Sequence, residues 1–267
     1  MKSTSVLKAA FFTSFFTLSA FVCQTLYAAP VATVQQIQGE VSIQTAGSPA
    51  DQWTPVSQET PVNTGDSVKT GNGSCIIAYA DQATFNLEAN TSITLQEQAD
   101  TQDIALKLGK IYGKIDHTKV TKPFQVVTPA AVATVRGTDV SFDFDDQGQL
   151  TVDIDGGGPV QVTNDEAGMD LELQNGNKIT VKYNAETGEI TVSNSCDSTE
   201  KITFSILGKE YSVDKCESQT VSTGETAAGA NETPGTDLPE NEGPPNENEP
   251  DDDPTPPSSP VEEQQPE

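Results

Sequence analysis

From Val31 to Val221 apolar and polar side chains alternate at nearly every second position, and Gly, Asn and Asp cut the runs at short intervals. That period places successive side chains on opposite faces of an extended chain, so it selects strands. The frequent turn residues keep those strands short and antiparallel. The expected fold class is all-β, with antiparallel strands in a sandwich or a stacked β-roll. Four turns mark hairpins. Asn184 to Gly188 separates Ile179–Tyr183 from Glu189–Val192, and Asp145 to Gly148 separates Val140–Phe144 from Leu150–Ile154. Gly109-Lys110 and Gly208-Lys209 read as two-residue turns that need glycine first. The segments Ile37–Val41, Leu108–Ile111 and Gly158–Val162 repeat a glycine turn followed by an alternating strand, which hints at similar layers. A fixed period of the kind that marks repeat arrays is not apparent.

Charge narrows the partners. The chain has 14 Lys and Arg against 40 Asp and Glu, a net charge of −26, and lacks the basic stripe that nucleic acid or an anionic membrane requires. From Ser222 onward there are 13 acids and no Lys or Arg among many prolines, so residues 222–267 are expected to be a disordered, self-repelling tail. Its role is that of a solvating terminus, or of a segment that folds on a partner. Residues 1–28 carry Lys2 and Lys8 ahead of an uncharged stretch from Ala9 to Val22, the layout of a secretory signal peptide cut after Ala28. That stretch is shorter than the roughly 20 residues a membrane helix needs. Phe21 and Val22 are too bulky to precede a lipidated Cys23. The mature chain is therefore expected to be exported to the periplasm or cell surface, without membrane insertion.

Loss of Cys23 with the signal leaves Cys75, Cys196 and Cys216. An oxidising compartment favours a bridge between Cys196 and Cys216. If Leu207 faces Glu210 across the Gly208 turn, the two cysteines are not direct partners in that ladder, and residues 197–200 must loop or bulge. Cys75 shares a strand face with Ile77 and Tyr79 and reads as a buried small residue.

Between residues 33 and 144 a distinctive succession runs through Gly39-Glu40-Val41, Trp53-Thr54-Pro55-Val56, Gly65-Asp66-Ser67-Val68-Lys69-Thr70-Gly71 and Ser74 to Asp81. It continues through Leu108-Gly109-Lys110-Ile111 to Phe124–Val140, which contains Thr128-Pro129 and Val135-Arg136-Gly137-Thr138. This block resembles the FecR domain family, with the Thr-Pro turn and Val-Arg-Gly-Thr as its most specific element. The resemblance implies kinship with periplasmic regulators that relay the state of an outer-membrane receptor through one membrane helix to a cytoplasmic sigma-factor partner. A signal peptide in place of a cytoplasmic segment and internal membrane helix makes this chain more like exported members of the family. The expected organisation is a signal peptide (1–28), a FecR-like β domain (31–144), a second antiparallel β segment (145–221) and the tail (222–267).

Within the motif, Pro129 fixes its own φ and drives Thr128 toward extended geometry, so the chain turns there and re-enters a strand. Ala131, Ala133 and Val135 share a narrow face, Arg136 points the other way, and Gly137 lets the strand bend. Arg136 is the only arginine. It is expected to clamp a carboxylate or strand-end carbonyls, with an anionic ligand as the alternative. Asp143, Asp145, Asp153 and Asp155 could line one face near a turn, which raises calcium, but the order of an EF-hand loop is missing and a solvated acidic edge is the plainer reading. His117, the only histidine, lies in a polar loop with no nucleophile motif beside it. Zinc spacing and nucleotide fingerprints are missing too. The sequence thus points to a non-catalytic binding or scaffold module, without cofactor, that contacts an envelope protein or polysaccharide. The alternative is an envelope-sensing regulator that acts through a separate membrane partner, and the third class is an enzyme of unfamiliar type.

Overall fold

The computed structural model describes residues 29–223, so the expected signal peptide, Cys23 and the tail beyond Thr223 lie outside the described residues. The described chain is built from strands, and among the described residues no helix is long and apolar enough to cross a membrane. In order the strands are β1 (Ala32–Gln38), β2 (Val41–Gln44), β3 (Thr54–Pro55), β4 (Thr60–Val62), β5 (Ser67–Thr70), β6 (Ser74–Tyr79) and β7 (Ala83–Leu87). They continue as β8 (Ser92–Glu97), β9 (Gln102–Ile115), β10 (Phe124–Val127), β11 (Val132–Val135), β12 (Thr138–Phe144) and β13 (Gln149–Gly157). The last are β14 (Val160–Asn164), β15 (Met169–Leu173), β16 (Lys178–Asn184), β17 (Glu189–Asn194), β18 (Ile202–Ile206), β19 (Lys209–Val213) and β20 (Ser218–Ser222).

These strands form two facing layers. Sheet A runs β4-β1-β6-β7-β9-β12-β13-β16-β17-β20, and sheet B runs β3-β2-β5-β8-β9-β10-β11-β14-β15-β18-β19. The long strand β9 belongs to both. Its first half pairs with β8 and β10 in sheet B, and its second half pairs with β7 and β12 in sheet A. Every pairing is antiparallel except β9 with β10. The alternation seen in the sequence fills the space between the layers: Phe85, Phe124, Phe142, Leu150, Val162, Val181 and Val192 are fully buried. The outer face of sheet A instead pairs hydroxyls across strands, Thr151 with Thr180 at 3.1 Å, Thr191 with Thr220 at 2.8 Å and Ser193 with Ser218 at 2.8 Å.

From β10 onward the chain lays down hairpins alternately in the two sheets, β10–β11 in B, β12–β13 in A, β14–β15 in B, β16–β17 in A and β18–β19 in B, with β20 closing in A. Hairpin loops lie along one edge of the stack, and the connections that switch sheets lie along the other. In sheet A the successive additions start at Thr138, Lys178 and Ser218, a step of 40 residues each time (178 − 138 and 218 − 178). The structure thus repeats with a period of two hairpins, a period that the segments singled out in the sequence do not follow.

The turns at Asp145–Gly148 and Asn184–Gly188 stand as read. Two others do not. Gly109-Lys110 is no hairpin: the backbone continues as one strand and uses Gly109, at φ +94°, to pass from sheet B to sheet A beside the Thr91 backbone. The last turn is Leu207-Gly208, both residues at positive φ, with Ile206 opposite Lys209 where the sequence reading put Leu207 opposite Glu210. That shift sets Phe204 against Tyr211, whose rings stack at 5.7 Å, and lets the Leu207 N–H donate to the Gly168 carbonyl at 2.9 Å.

Candidate functional site

The residues of Val-Arg-Gly-Thr occupy one sheet-switching corner. β11 ends in sheet B at Val135, β12 begins in sheet A at Thr138, and Arg136-Gly137 make the bend. The neighbouring corner, from β13 in A to β14 in B, passes through Gly157-Gly158-Pro159 and lies directly against it. Buried Thr138 locks the two together: its hydroxyl donates to the Gly158 carbonyl at 3.0 Å, and the Gly158 N–H donates to the Gly137 carbonyl at 3.2 Å. Only glycine fits at this contact. A Cβ on Gly137 would sit 2.2 Å from the His117 Cβ, one on Gly157 would sit 2.4 Å from the Gly137 carbonyl oxygen, and both backbones have positive φ.

The two corners and the β9–β10 loop enclose a cleft of about 590 Å³. Its walls are His117, Arg136 and Gly157 to Pro159, and its floor is the outward row Thr134, Gln161 and Glu172 on adjacent strands of sheet B. Arg136 follows Thr134 by two residues, so it rises from the same face as that row. The loop carrying His117 is set by Asp116, whose carboxylate accepts from the Thr118 hydroxyl at 2.6 Å and the Thr118 N–H at 2.9 Å. Those hydrogen bonds hold the Asp116 carboxyl below its ordinary range, with the nearby charge of Lys119 adding to them.

Arg136 makes no ion pair and no hydrogen bond among the described residues. This differs from the clamp expected from sequence: the corner is fastened by Thr138 and backbone groups, and the exposed guanidinium forms no salt bridge. Across the cleft, Glu172 keeps one oxygen on the Gln174 amide at 2.7 Å and makes no salt bridge. Gln161 donates to Asp170, and Thr134 accepts from Gln125 at 3.2 Å. The cleft thus holds a cationic side chain and an acidic one that do not neutralise each other.

The structure brings Val135, Arg136, Gly137 and Thr138 together but not Thr128 and Pro129, which close the β10–β11 hairpin at the opposite edge. There the Thr128 hydroxyl donates to the Ala131 carbonyl at 2.9 Å and accepts from the Ala131 N–H at 3.2 Å. Cys196 and Cys216 form a disulfide that ties the β17–β18 corner to the β19–β20 corner, with Cα atoms 4.4 Å apart. Ser193 faces Ser218 in the β17–β20 ladder, so the cysteines meet just past the end of that ladder. Cys75 is buried beside Leu87, and burial pushes its thiol up to about 12. The four aspartates do not converge: Asp153 pairs with Lys178 at 3.0 Å, and Asp145 caps its own turn by accepting from the Gln147 and Gln149 N–H groups at 2.9 Å. Among the described residues no three His, Cys, Asp or Glu side chains are placed to hold a metal. The sequence reading missed that the sole histidine packs against Gly137 and shares one cleft with the sole arginine. The paired glycine runs, Gly137 and Gly156-Gly157-Gly158, were the available signal for it.

The family model described as "FecR protein" matches residues 66–157. That stretch of the chain is similar to FecR proteins. The matched span opens just before β5 and closes with β13 at Gly157, so it includes the Arg136 corner and one of the glycines packed against it. The segments around Gly39 and Trp53 that entered the sequence resemblance lie outside the match. No curated protein matches the chain. Two crystal structures of a candidate anti-sigma factor from Parabacteroides distasonis, at 1.65 and 2.50 Å, are similar to it. The first has 16% identity and a TM-score of 0.39, with 56% of this chain and 59% of that chain covered. The second has 16% identity and a TM-score of 0.38, with 55% and 58% covered. The chain thus spans less than two thirds of those structures.

Proposed function

We propose that this chain is exported to the cell envelope and works there as a non-catalytic binding module, holding an envelope protein in the cleft beside Arg136. The observation that carries this reading is the unpaired arginine itself. In a chain of net charge −26, a lone guanidinium beside closely packed glycine corners that forms no internal salt bridge is placed to receive a group from outside. The hydroxyl-lined face of sheet A and the tightly packed interior serve as scaffold.

Proximity labelling in the native envelope, followed by co-purification with the wild-type chain and with Gly158→Leu, tests the reading. A Cβ on Gly158 meets no heavy atom within 4 Å, so leucine there fills the cleft without disturbing the corner. Loss of the captured partner in the variant, with the fold unchanged by circular dichroism, supports the cleft as the docking site; equal capture by both chains counts against it. Export is checked by the mass of the envelope-fraction protein, which should begin at Ala29. The similarity to FecR proteins favours a second reading, in which the partner is an integral membrane protein and the module reports envelope state to it. Detergent-dependent co-purification separates that reading from a peripheral scaffold.

A further inference from the structure

The geometry points to the free carboxylate end of an extended peptide or protein chain as the group that the cleft receives. This deepens the docking reading above and rests on it. Arg136 presents a planar fork of donors that matches a carboxylate in two parallel hydrogen bonds, a geometry that lysine cannot reproduce. The guanidinium is exposed and uncommitted, so binding would break no internal pair. The floor has the groups that a peptide backbone needs: Thr134, Gln161 and Glu172 lie side by side on three adjacent strands, with one Glu172 oxygen left to accept an N–H. Glu172 also repels a ligand that is anionic along its length, which sets a single terminal charge apart from a polyanion. No Trp, Tyr or Phe ring lines the cleft, so the broad stacking platform that sugar rings use is missing from its walls. Gly158 leaves the backbone open on one side, which gives the terminal residue room to approach the corner.

A tetrapeptide library made once with free carboxylate ends and once as amides, passed over the immobilised full chain and read by mass spectrometry, tests this inference. Free-acid members should be retained at least tenfold over their amides. Arg136→Gln should bring that ratio close to one. Arg136→Lys should recover only part of it, since the charge returns without the fork. Arg136 has no partner to lose, so both variants should keep the wild-type melting temperature. Gly158→Leu should exclude acids and amides alike. Equal retention of acids and amides, an acid preference that survives Arg136→Gln, or retention of a tetragalacturonate in place of the peptides would overturn the inference. If the peptides fail while partner capture remains sensitive to Gly158→Leu, the ligand chemistry is wrong and the docking site stands. If both fail, the docking reading falls with it.

Discussion

The strands before β10 and those after it build the same two sheets by different means. In the first region the pairings are scattered: β1 lies between β4 and β6, β2 between β3 and β5, and β5 between β2 and β8. Side chains hold its loops. Buried Asp66 accepts from the Ala46 and Asn63 N–H groups, both at 2.8 Å, and Thr70 accepts from the Thr91 N–H at 2.9 Å while donating to the Glu88 carbonyl at 2.6 Å. These are the polar members of Gly-Asp-X-Val-X-Thr-Gly, which gives that motif a structural reason. In the second region each hairpin pairs with the hairpin two further on, and the corners are held both by backbone groups, such as Gly176 N–H to Ile154 carbonyl at 2.9 Å and Cys216 N–H to Asn194 carbonyl at 3.0 Å, and by buried side chains: Ser198 Oγ accepts from the Lys178 N–H at 2.8 Å, and the Asn194 amide donates to the Glu200 carbonyl at 2.9 Å. A region fastened by specific side chains leaves a sequence signature. The second region's corners differ in length and in the side chains that hold them, so its repetition in space leaves little trace in sequence.

The largest expected effect comes from breaking the seam between the regions. Phe124 opens β10, is fully buried, and packs its ring 4.9 Å from Tyr79 and 5.2 Å from Phe85 in the first region. Phe124→Ala should cost about 3–5 kcal/mol. Because β9 is shared by both sheets, urea unfolding should remain one transition. Cys75 supplies the local readout: its buried thiol should resist alkylation at neutral pH in the folded chain and react over the same urea range as the loss of sheet signal. Cys75 labelling that precedes the loss of sheet signal would show that the two regions unfold separately.

Next in size is the disulfide, which acts on the far end of the second region. Replacing Cys196 and Cys216 by serine opens a 20-residue loop, worth about 3 kcal/mol in the chain-entropy account. Hydrogen exchange should rise in β17 to β20 and stay unchanged in β5 to β8, since a stack of near-neighbour hairpins frays from its end. Uniform loss of protection would mean that the second region is as interlocked as the first.

The corners give a sharper contrast at smaller cost. Gly137→Ala puts a methyl 2.2 Å from the His117 Cβ on a backbone at φ +150°, whereas Gly158→Ala meets open space at an ordinary φ. The first should cost about 2 kcal/mol and the second less than about 0.5 kcal/mol, read from thermal or urea unfolding. Equal costs would show that the close packing of the two corners does not support the fold.

How much of this was legible in the sequence follows from the same contrast. The period-two pattern carried the strands and the inward faces, because burial between two sheets demands alternation. The turn at Asn184 to Gly188 was legible because its loop is closed locally. Gly109 misled because a glycine that lets one strand change sheets looks the same in sequence as a glycine that reverses the chain. The Gly208 register misled because the Phe204–Tyr211 stacking and the bond to Gly168 that fix it are tertiary. The hairpin period was hidden because successive corners differ in length, from two residues at Arg136-Gly137 to seven at Ser195 to Lys201. The cleft was hidden for a related reason: His117 reaches Gly137 only through the placement of the β9–β10 loop, which no spacing encodes.

The smallest expected effect tests whether the second region's backbone is everywhere at ease. Leu207 is 57% exposed and holds φ +51° ahead of Gly208 at φ +78°, a primed turn in which both central residues are left-handed. Leucine is poorly suited to that conformation, while Asn-Gly is the sequence this turn prefers. Leu207→Asn should therefore stabilise the protein by about 0.5–1 kcal/mol, seen as a small rise in melting temperature with an unchanged register. The leucine side chain does rest on Gly168, and that contact works against the gain. A net loss of stability would show that packing across neighbouring hairpin loops outweighs turn strain.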